Sequence, residues 1–506
     1  MDALKLKDVL VKKPFRRITA IGYHNGGLIK NGVDNDEPND NAIYEIVTQT
    51  DFMREFEPTG HMINNPFIYP DKKRIDPESG QEYSEPMARC AFAFQRVITI
   101  KQLAHLCGND IQFEMPSSTE NESVNETFFK FKEGWSVKDM EIAWFESAKS
   151  VKTTGDVAFV GYKKNGKFYW KILSFINGDK LYPHYDSVTG ELSLFAREYS
   201  DIDEDGNTTT SYVEIWDDTY LYRYRKSKTG VSGVFNHVKG WFGLTGYSLI
   251  SKEPHNFPFM PVAYKRDDNG ACWSFSQGSI DQYELAFSQL TQNNVAYAFP
   301  IMYMKGNDVS LIGDMTGSVK GITMGTDDDA GFLNTPDGSS LFTLQLNTLY
   351  KMIYEQSFCV IPPEVRSGDM PGVAVKLLYS PAVEFAMKDA QEYSSYIDKM
   401  VRIYMEGYGT EIGKVRDFNA LSVYAWISPY VPQNDSELIQ NLAMAVQNGF
   451  ESRQTASEKI PMIAKNSEWE RIIKEQKEQQ QNDILAQIQL EKATKPQEIV
   501  MGENVE

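Results

Sequence analysis

The sequence is poor in the residues on which most protein chemistry depends. Its four cysteines, Cys90, Cys107, Cys272 and Cys359, stand far apart and form no C-x-x-C pair. That disfavours zinc sites and a disulfide framework and leaves reduced, structural thiols as the simpler reading. No two of its six histidines, His24, His61, His105, His184, His237 and His255, sit at ligand spacing. Absent too are the G-x-x-x-x-G-K-[ST] phosphate loop, the G-x-S-x-G elbow, H-E-x-x-H, and a G-x-G-x-x-G following a strand. With no catalytic constellation the chain reads as non-enzymatic. Positive charge is scarce: 51 Lys and Arg against 70 Asp and Glu leave a net charge of -19. Tight binding to nucleic-acid phosphates is therefore disfavoured, although a surface past which nucleic acid moves is not. No run approaches about eighteen apolar residues, and MDALKLKDVLVKKPFRR lacks the apolar core and cleavage site of a signal peptide. Neither a secreted nor a membrane-spanning chain is expected.

What is present is a chain of ordinary apolar content with 27 Tyr, 28 Phe and 8 Trp, which argues against disorder. Its 506 residues exceed what one small core sustains, so more than one domain is expected. The longest helical pattern before the tail runs from Pro371 to Gly409. Ala386, Ala390, Tyr393, Ile397, Met400 and Tyr404 recur at steps of four and three, with Glu384, Lys388, Gln391, Ser395, Lys399 and Arg402 on the other side. Ser380-Pro381 reads as N-cap and first helical residue, and Gly407 and Gly409 as stops. A rod with one packed and one wet face is predicted.

Upstream of the rod, Lys12, Lys13, Arg16 and Arg17 read as a solvated basic face, Val97 to Cys107 as a helix, and Ser117 to Thr127 as a polar loop. A short helix from Asp139 to Lys149 precedes VAFVGYKKNGKFYWKILSF, which alternates across Asn165-Gly166, a pair suited to a type I′ hairpin. Strand patterns at LYPHYD, GELSLFAREYS, TSYVEIWDD and TYLYRYRK make the centre of the N-terminal half β-rich. Asp201, Asp203, Asp205 and Gly206 open like a calcium loop, but Tyr212 stands where that loop needs Glu, so an acidic turn is the better reading.

Ser279 with Gln282 forms a capping box for a helix reaching Phe299-Pro300. Tyr283, Phe287, Leu290 and Asn294 mark one face; Gln282, Gln289, Gln292 and Asn293 mark an opposite, uncharged one. Short strands at MYMKG, VKGITMG and LFTLQL follow, then a helical pattern at Leu349, Ile353 and Phe358, and a Pro/Gly loop before the rod. Asn434 with Glu437, Ser452 to Lys459, and Ser467 with Glu470 mark three tail helices, with disorder expected beyond Pro496. Asp217-Asp218 and Asp327, Asp328, Asp329 read as solvated turns rather than Mg²⁺ sites.

Three stretches carry a family signal. VKGITMGTDDDAGFLNTPDGSSLFTLQL is followed by a loop and PGVAVKLLYS, the latter similar to an S-G-V-A-L-K motif with Pro371 in place of the favoured Ser. QNGFESRQTASEKIPMIAKNSEWERIIKEQ and GKFYWKILSFINGDKLYPHYD add to it. Taken in their order along the chain, over roughly Asp139 to Glu478, these stretches resemble the portal proteins of tailed double-stranded DNA bacteriophages.

The resemblance implies an α+β portal-type subunit. A wing with a β-rich centre would occupy 1–275, a first stem helix 276–299, a small α/β clip 300–346, and a second stem helix 347–358. A tunnel loop would follow over 359–371, the long wing helix and return strand over 372–431, a helical crown over 432–493, and a disordered tail over 494–506. It further implies a homomeric ring of about twelve copies at one capsid vertex, in the virion and, during assembly, in the host cytoplasm. Double-stranded DNA would pass through the ring in packaging and ejection. The implied partners are other copies of the chain, the terminase large subunit, neck or adaptor proteins, and the major capsid protein with its scaffold. No membrane partner, cofactor or metal is expected.

By the same carry-over Val360, Ile361, Pro362, Pro363, Glu364, Val365 and Arg366 would form the tunnel loop, with Arg366 touching DNA transiently or pairing with Glu364 or Asp369 of an adjacent copy. Lys305, Asp308, Lys320, Asp327, Asp328 and Asp329 would lie on the docking clip. A channel for a sliding polyanion needs weak, sequence-blind contacts, which suits the amides of Gln282, Gln289, Gln292 and Asn293. Glu384, Lys388, Lys399 and Arg402 carry both signs on one face, which suits contact between neighbouring copies. The alternative functions are a non-enzymatic oligomeric binding or scaffold protein without a DNA channel and, more remotely, a nuclease using scattered acidic residues.

Overall fold

The computed structural model describes residues 9–18, 44–76, 79–115, 122–202, 209–226, 247–297, 302–306, 310–314, 318–323, 329–332, 339–361, 372–431, 435–458, 460 and 471–479. Helix and sheet are mixed along the chain. A short ribbon of β1 (Phe15–Ile18) and β2 (Tyr44–Val47) leads into α1 (Gln49–Phe56). The hairpin β3 (Lys72–Ile75) and β4 (Glu82–Glu85) comes next, then α2 (Phe94–Leu106), β5 (Gln112–Glu114), α3 (Glu122–Val137) and α4 (Met140–Thr154).

Strands β6 (Asp156–Lys164) and β7 (Lys167–Leu173) meet at Asn165-Gly166, whose φ values of 54° and 74° are both positive, as a type I′ turn demands. Then come β8 (Lys180–Tyr185), β9 (Leu192–Ile202), β10 (Thr209–Trp216), β11 (Tyr220–Lys226), β12 (Tyr247–Pro254) and β13 (Val262–Arg266). Helix α5 (Gln277–Tyr297) precedes β14 (Met302–Lys305), β15 (Ser310–Asp314), β16 (Ser318–Thr323) and β17 (Asp329–Phe332). The chain closes with α6 (Ser339–Gln356), α7 (Gly372–Glu411), α8 (Val415–Ala420), β18 (Tyr424–Trp426), α9 (Asp435–Gln447), α10 (Arg453–Glu458) and a helical run over 471–479.

Two units are distinguishable, one of Met1–Pro362 with Pro381–Tyr430 and one of Pro363–Ser380 with Val431–Glu506. In the first, an antiparallel sheet ordered β12-β11-β10-β9-β8 stands beside a three-stranded sheet ordered β13-β6-β7. Apolar residues of both sheets, among them Phe195, Trp216, Val160 and Val262, share one cluster. The largest cluster forms where the packed stripe of α7 meets α3, α4, β6 and β7. Tyr393, Ile397, Met400 and Tyr404 are at most 2% exposed, whereas Glu384, Lys388, Gln391, Ser395, Lys399 and Arg402 are all exposed. The two faces of the rod thus fall where periodicity puts them. In the second unit α9 packs on α10, burying Leu442 and Ala456.

The rod's ends differ from expectation. α7 is 40 residues long, starts at Gly372 and carries Pro381 inside it, where the missing N–H forfeits one backbone hydrogen bond. Gly407 and Gly409 lie within the helix because neighbours approach too closely for a side chain; a Cβ on Gly407 would collide with the Phe168 ring. The stop is Gly413, at φ 70°, where Lys414 N–H reaches Gly409 O at 2.8 Å and Gly413 N–H reaches Thr410 O at 3.3 Å, the paired bonds of a Schellman end.

Further corrections follow from packing. Half of the polar stretch 117–127 lies in α3, whose inner face buries Phe131 and Trp135 and packs half-buried Val124 and Phe128 against the same cluster. LFTLQL, expected as a strand, is helical and belongs to α6, so the helix expected over 347–358 starts at Ser339. Ser279 does not cap α5, which begins two residues earlier; its hydroxyl donates to Gln356 Oε1 at 3.0 Å. Of the basic patch, only Lys13 and Arg16 are exposed: Lys12 pairs with buried Asp156, and Arg17 forms a two-pronged bridge to Glu55. Asp203, Asp205, Gly206, Asp327, Asp328, the expected caps of the last tail helix and the segment beyond Pro496 lie outside the described residues.

Because the α7 stripe is buried on every side the helix presents to the core, Met400→Ala or Ile397→Ala should cost about 2–5 kcal/mol in denaturant unfolding. Lys399→Ala should stay within about 0.5 kcal/mol.

Candidate nucleic-acid interface

Four parts of the chain bear on contact with nucleic acid or partners: α5, the segment after α6, the β14–β17 region and the wet face of α7. In α5 the first half is embedded. Ile280, Glu284 and Ser288 are fully buried, Ala286 nearly so, and Tyr283 and Phe287 meet Phe92 at 5.4 and 5.1 Å between ring centres. An extended strap, residues 88–92, lies along one face of this helix. Phe92 N–H donates to Glu284 Oε1 at 2.8 Å, Cys90 N–H to Ser288 Oγ at 2.9 Å, and Ala88 N–H to Gln292 Oε1 at 3.2 Å. The match is geometric: two residues of extended chain rise roughly 6.7 Å and four residues of helix about 6 Å, so alternate N–H groups meet acceptors one turn apart.

Gln292 therefore serves the strap. Gln282, Gln289 and Asn293 lie roughly a quarter turn further round, half-buried, exposed and exposed. Glu284 and Ser288 were missed in the sequence, where polar residues at four-residue spacing on a helix look like a wet face; the strap opposite, and for Glu284 also His61, gives them partners.

A charged cluster fixes the root of α5. Arg17 donates to both Glu55 oxygens at 2.9 and 2.7 Å, and Trp273 Nε1 donates to Glu55 Oε2 at 2.9 Å. His61 is buried between two acceptors, Nδ1 at 2.7 Å from Glu284 Oε1 and Nε2 at 2.7 Å from the Glu55 carbonyl. Burial opposes a charge on this ring, but the hydrogen bond and charge of Glu284 outweigh it and hold His61 above its ordinary value. Asp281, which accepts from Gln277 Nε2 at 2.9 Å, is pushed up to about 7 by burial and then by the charge of Glu55.

The segment after α6 begins at a strained end. Phe358 sits at φ 54°, a left-handed conformation that costs a bulky residue about 1–3 kcal/mol. Phe358 N–H bonds Glu355 O at 3.1 Å and Cys359 N–H bonds Tyr354 O at 2.9 Å, a Schellman end with Phe in the position usually given to Gly. The conformation is held from outside. Its ring stacks on Phe385 of α7 at 4.8 Å, Gln102 Nε2 donates to Ser357 O at 2.8 Å, and Lys101 Nζ donates to Val360 O at 2.8 Å. Val360 and Ile361 leave half-buried; Pro362, Pro363, Glu364, Val365 and Arg366 lie outside the described residues.

In the third part, β14 pairs with β17 and β15 with β16. Lys305 and Asp329 stand directly opposite each other on β14 and β17, and Lys320 lies on β16; Asp308, Asp327 and Asp328 lie outside the described residues. On the wet face of α7, Lys388 pairs with Glu392 at 2.7 Å and Arg402 lies 4.2 Å over the Phe259 ring. Among the described residues no cluster of three or more His, Cys, Asp or Glu could hold a metal ion, and no helix is long and apolar enough to cross a membrane. The thiols are structural in character, with Cys272 pushed up to about 12 by burial.

The sequence model of phage portal proteins, SPP1 Gp6-like, matches residues 68–482. The chain belongs to this portal family. No curated protein matches the chain. Membership gives it a phage portal role in a structural, non-enzymatic family, with homo-oligomeric assembly in the phage capsid and a place at the portal vertex. The match covers the strap, α5, the strained end of α6 and all of α7.

The cluster at the root of α5 in this portal subunit has a pH signature. His61 lies above its ordinary 6.5, so its ion pair stabilises fully below about pH 6.5 and that contribution is lost as pH rises through the raised value. Asp281, at about 7 against an ordinary 3.8, likewise holds its proton more tightly when folded, so stability present below 3.8 is lost as pH rises towards about 7. In calorimetric scans His61→Gln should lower the melting temperature most near pH 5 and least near pH 9. Asp281→Asn should raise it near pH 8, with a gain that shrinks towards pH 4.

Proposed function

We infer that copies of this chain form a closed ring around a channel for double-stranded DNA, used in packaging and ejection and docked by the terminase large subunit and neck or adaptor proteins. The family match over residues 68–482 carries the reading. In it, α5 and α6 are the stem, β14 to β17 the clip, residues 359–371 the tunnel loop, α7 the wing beam, and the helices after Pro432 the crown. The stem takes Ser339–Gln356 as its second helix, longer than the sequence pattern allows for.

The geometry supports these roles. Gln289 and Asn293 offer exposed, uncharged amides, which attract a phosphate backbone too weakly to arrest it. A loop meant to reach DNA needs a fixed root and a free tip. Lys101, Gln102 and Phe385 fix the root, and Arg366 is the cation in the sequence that follows. The mixed charges of Glu384, Lys388, Lys399 and Arg402 on α7 serve as a face towards neighbouring copies.

Native mass spectrometry and class averages of the purified protein should show a ring with a central hole. The absence of any closed ring at micromolar concentration would overturn the reading. Shortening residues 363–369 while keeping Cys359, Val360 and Ile361 should leave ring assembly intact and abolish DNA packaging; packaging at the parental level would remove the loop from the mechanism.

A further inference from the structure

The hairpin β3–β4 is the least explained part of the fold. Among the described residues its strands pair only with each other, and every residue of both is exposed except half-buried Glu85. An isolated two-stranded ribbon is at best marginally stable in water. This one nevertheless exposes Ile75 and Tyr83 on opposite faces, 66% and 50% accessible, with Phe67 95% accessible just before its first strand. Its base, by contrast, is fixed. Asp71 Oδ1 accepts from Met87 N–H at 3.1 Å and from Arg89 Nη2 at 2.7 Å, Arg89 also reaches Tyr69 O at 3.1 Å, and the strap beyond is bonded to α5. A ribbon held firmly at its base, whose strands pair with no other strand among the described residues and whose Ile75 and Tyr83 stay exposed, is built to be covered by something else.

Its charge pattern says by what. β3 carries Lys72, Lys73 and Arg74 in a row, and β4 carries Glu82 and Glu85, so one long edge is basic and the other acidic. Of the ion pairs across it, Lys73 with Glu82 at 3.9 Å is exposed and Arg74 with half-buried Glu85 is partly so, and such pairs contribute little. The chain as a whole has a net charge of -19, so copies repel one another at long range. A projecting basic edge is a place where that repulsion turns locally into attraction towards the acidic surface of another copy. A ring also needs a heterologous contact, in which a feature of one copy meets a different surface of the next.

We propose that the β3–β4 hairpin is an arm that packs on the neighbouring copy of this chain, its basic edge against acidic surface there and Ile75 or Tyr83 covered by the contact. This rests on the ring reading above. The test uses the full-length protein in two forms. In the first, Lys72→Glu, Lys73→Glu and Arg74→Glu are combined, and assembly is followed by native mass spectrometry across a concentration series. The expected result is at least a tenfold rise in the concentration needed for rings. In the second, Tyr83→p-benzoylphenylalanine is irradiated in otherwise parental rings, and a crosslink to a second copy is expected and mapped by peptide mass spectrometry.

The second form decides the matter if the first fails to fold. Unchanged assembly of the folded triple variant, or irradiated rings without a crosslink between copies, overturns the arm while leaving the ring standing. A crosslink formed only with another capsid component also overturns it. Parental protein that never forms rings overturns the ring reading, and the arm with it.

Discussion

Burial of one stripe of α7 is the constraint on which the first unit depends. Tyr404 meets Phe131 and Trp135 of α3 edge-on at 5.4 and 5.1 Å, Tyr393 meets Trp144 of α4 at 5.1 Å, and Tyr396 donates its hydroxyl to Ser147 at 2.7 Å. Large aromatic groups locked edge to face tolerate little sliding, so the helix is fixed in rotation and register. At one end of the stripe Lys152 of α4 pairs with Asp389, both buried. Removing either partner would strand a charge away from water, at about 3–5 kcal/mol. Once α7 is fixed, Phe385 has a defined place, and only then can it brace the strained end of α6.

The fold was legible in the sequence wherever a pattern is local. Asn165-Gly166 dictates its own turn, and the stripe from Ala386 to Tyr404 shows which face of the rod is packed. Contacts distant in sequence were not legible. Gly407 looks like a helix stop until Phe168, far upstream, comes to lie against it. LFTLQL alternates like a strand, yet continues a helix whose packed positions, Leu349 and Ile353, lie a turn or more downstream. α3 hides its apolar residues among Asn, Glu and Lys, and β12 is an edge strand whose mostly exposed side chains leave no alternating signal.

Within the proposed site, exposure and local bonding could be read in the sequence only in part. Gln289 and Asn293 are exposed as the uncharged face requires, but Gln292 is taken by Ala88, because an extended strap lies where the sequence shows only a run of polar helix positions. The Pro/Gly composition after α6 marks a loop; that its root is a left-handed phenylalanine braced by Lys101 and Gln102 depends on α2, some 250 residues earlier. Family membership supplies the portal role of the chain, and the geometry supplies the bracing of this root. Neither could have been read from the loop's own residues.

The placement of charge in α5 bears on how such a helix could line a channel. A fully apolar root would hold the helix as well, but the structure instead buries Glu284 against His61 and the strap, with Asp281 close to Glu55. Buried ionic groups give little net stability, yet they tolerate only one geometry, because any shift leaves an unpaired charge in a poorly solvated place. The charges of α5 are thus used inward, to define where the helix stands, while its exposed half carries amides. That division keeps fixed charge off the surface past which, on the proposed reading, a polyanion must slide. It also explains how a helix that faces DNA on that reading can be acidic at its root without repelling what passes it.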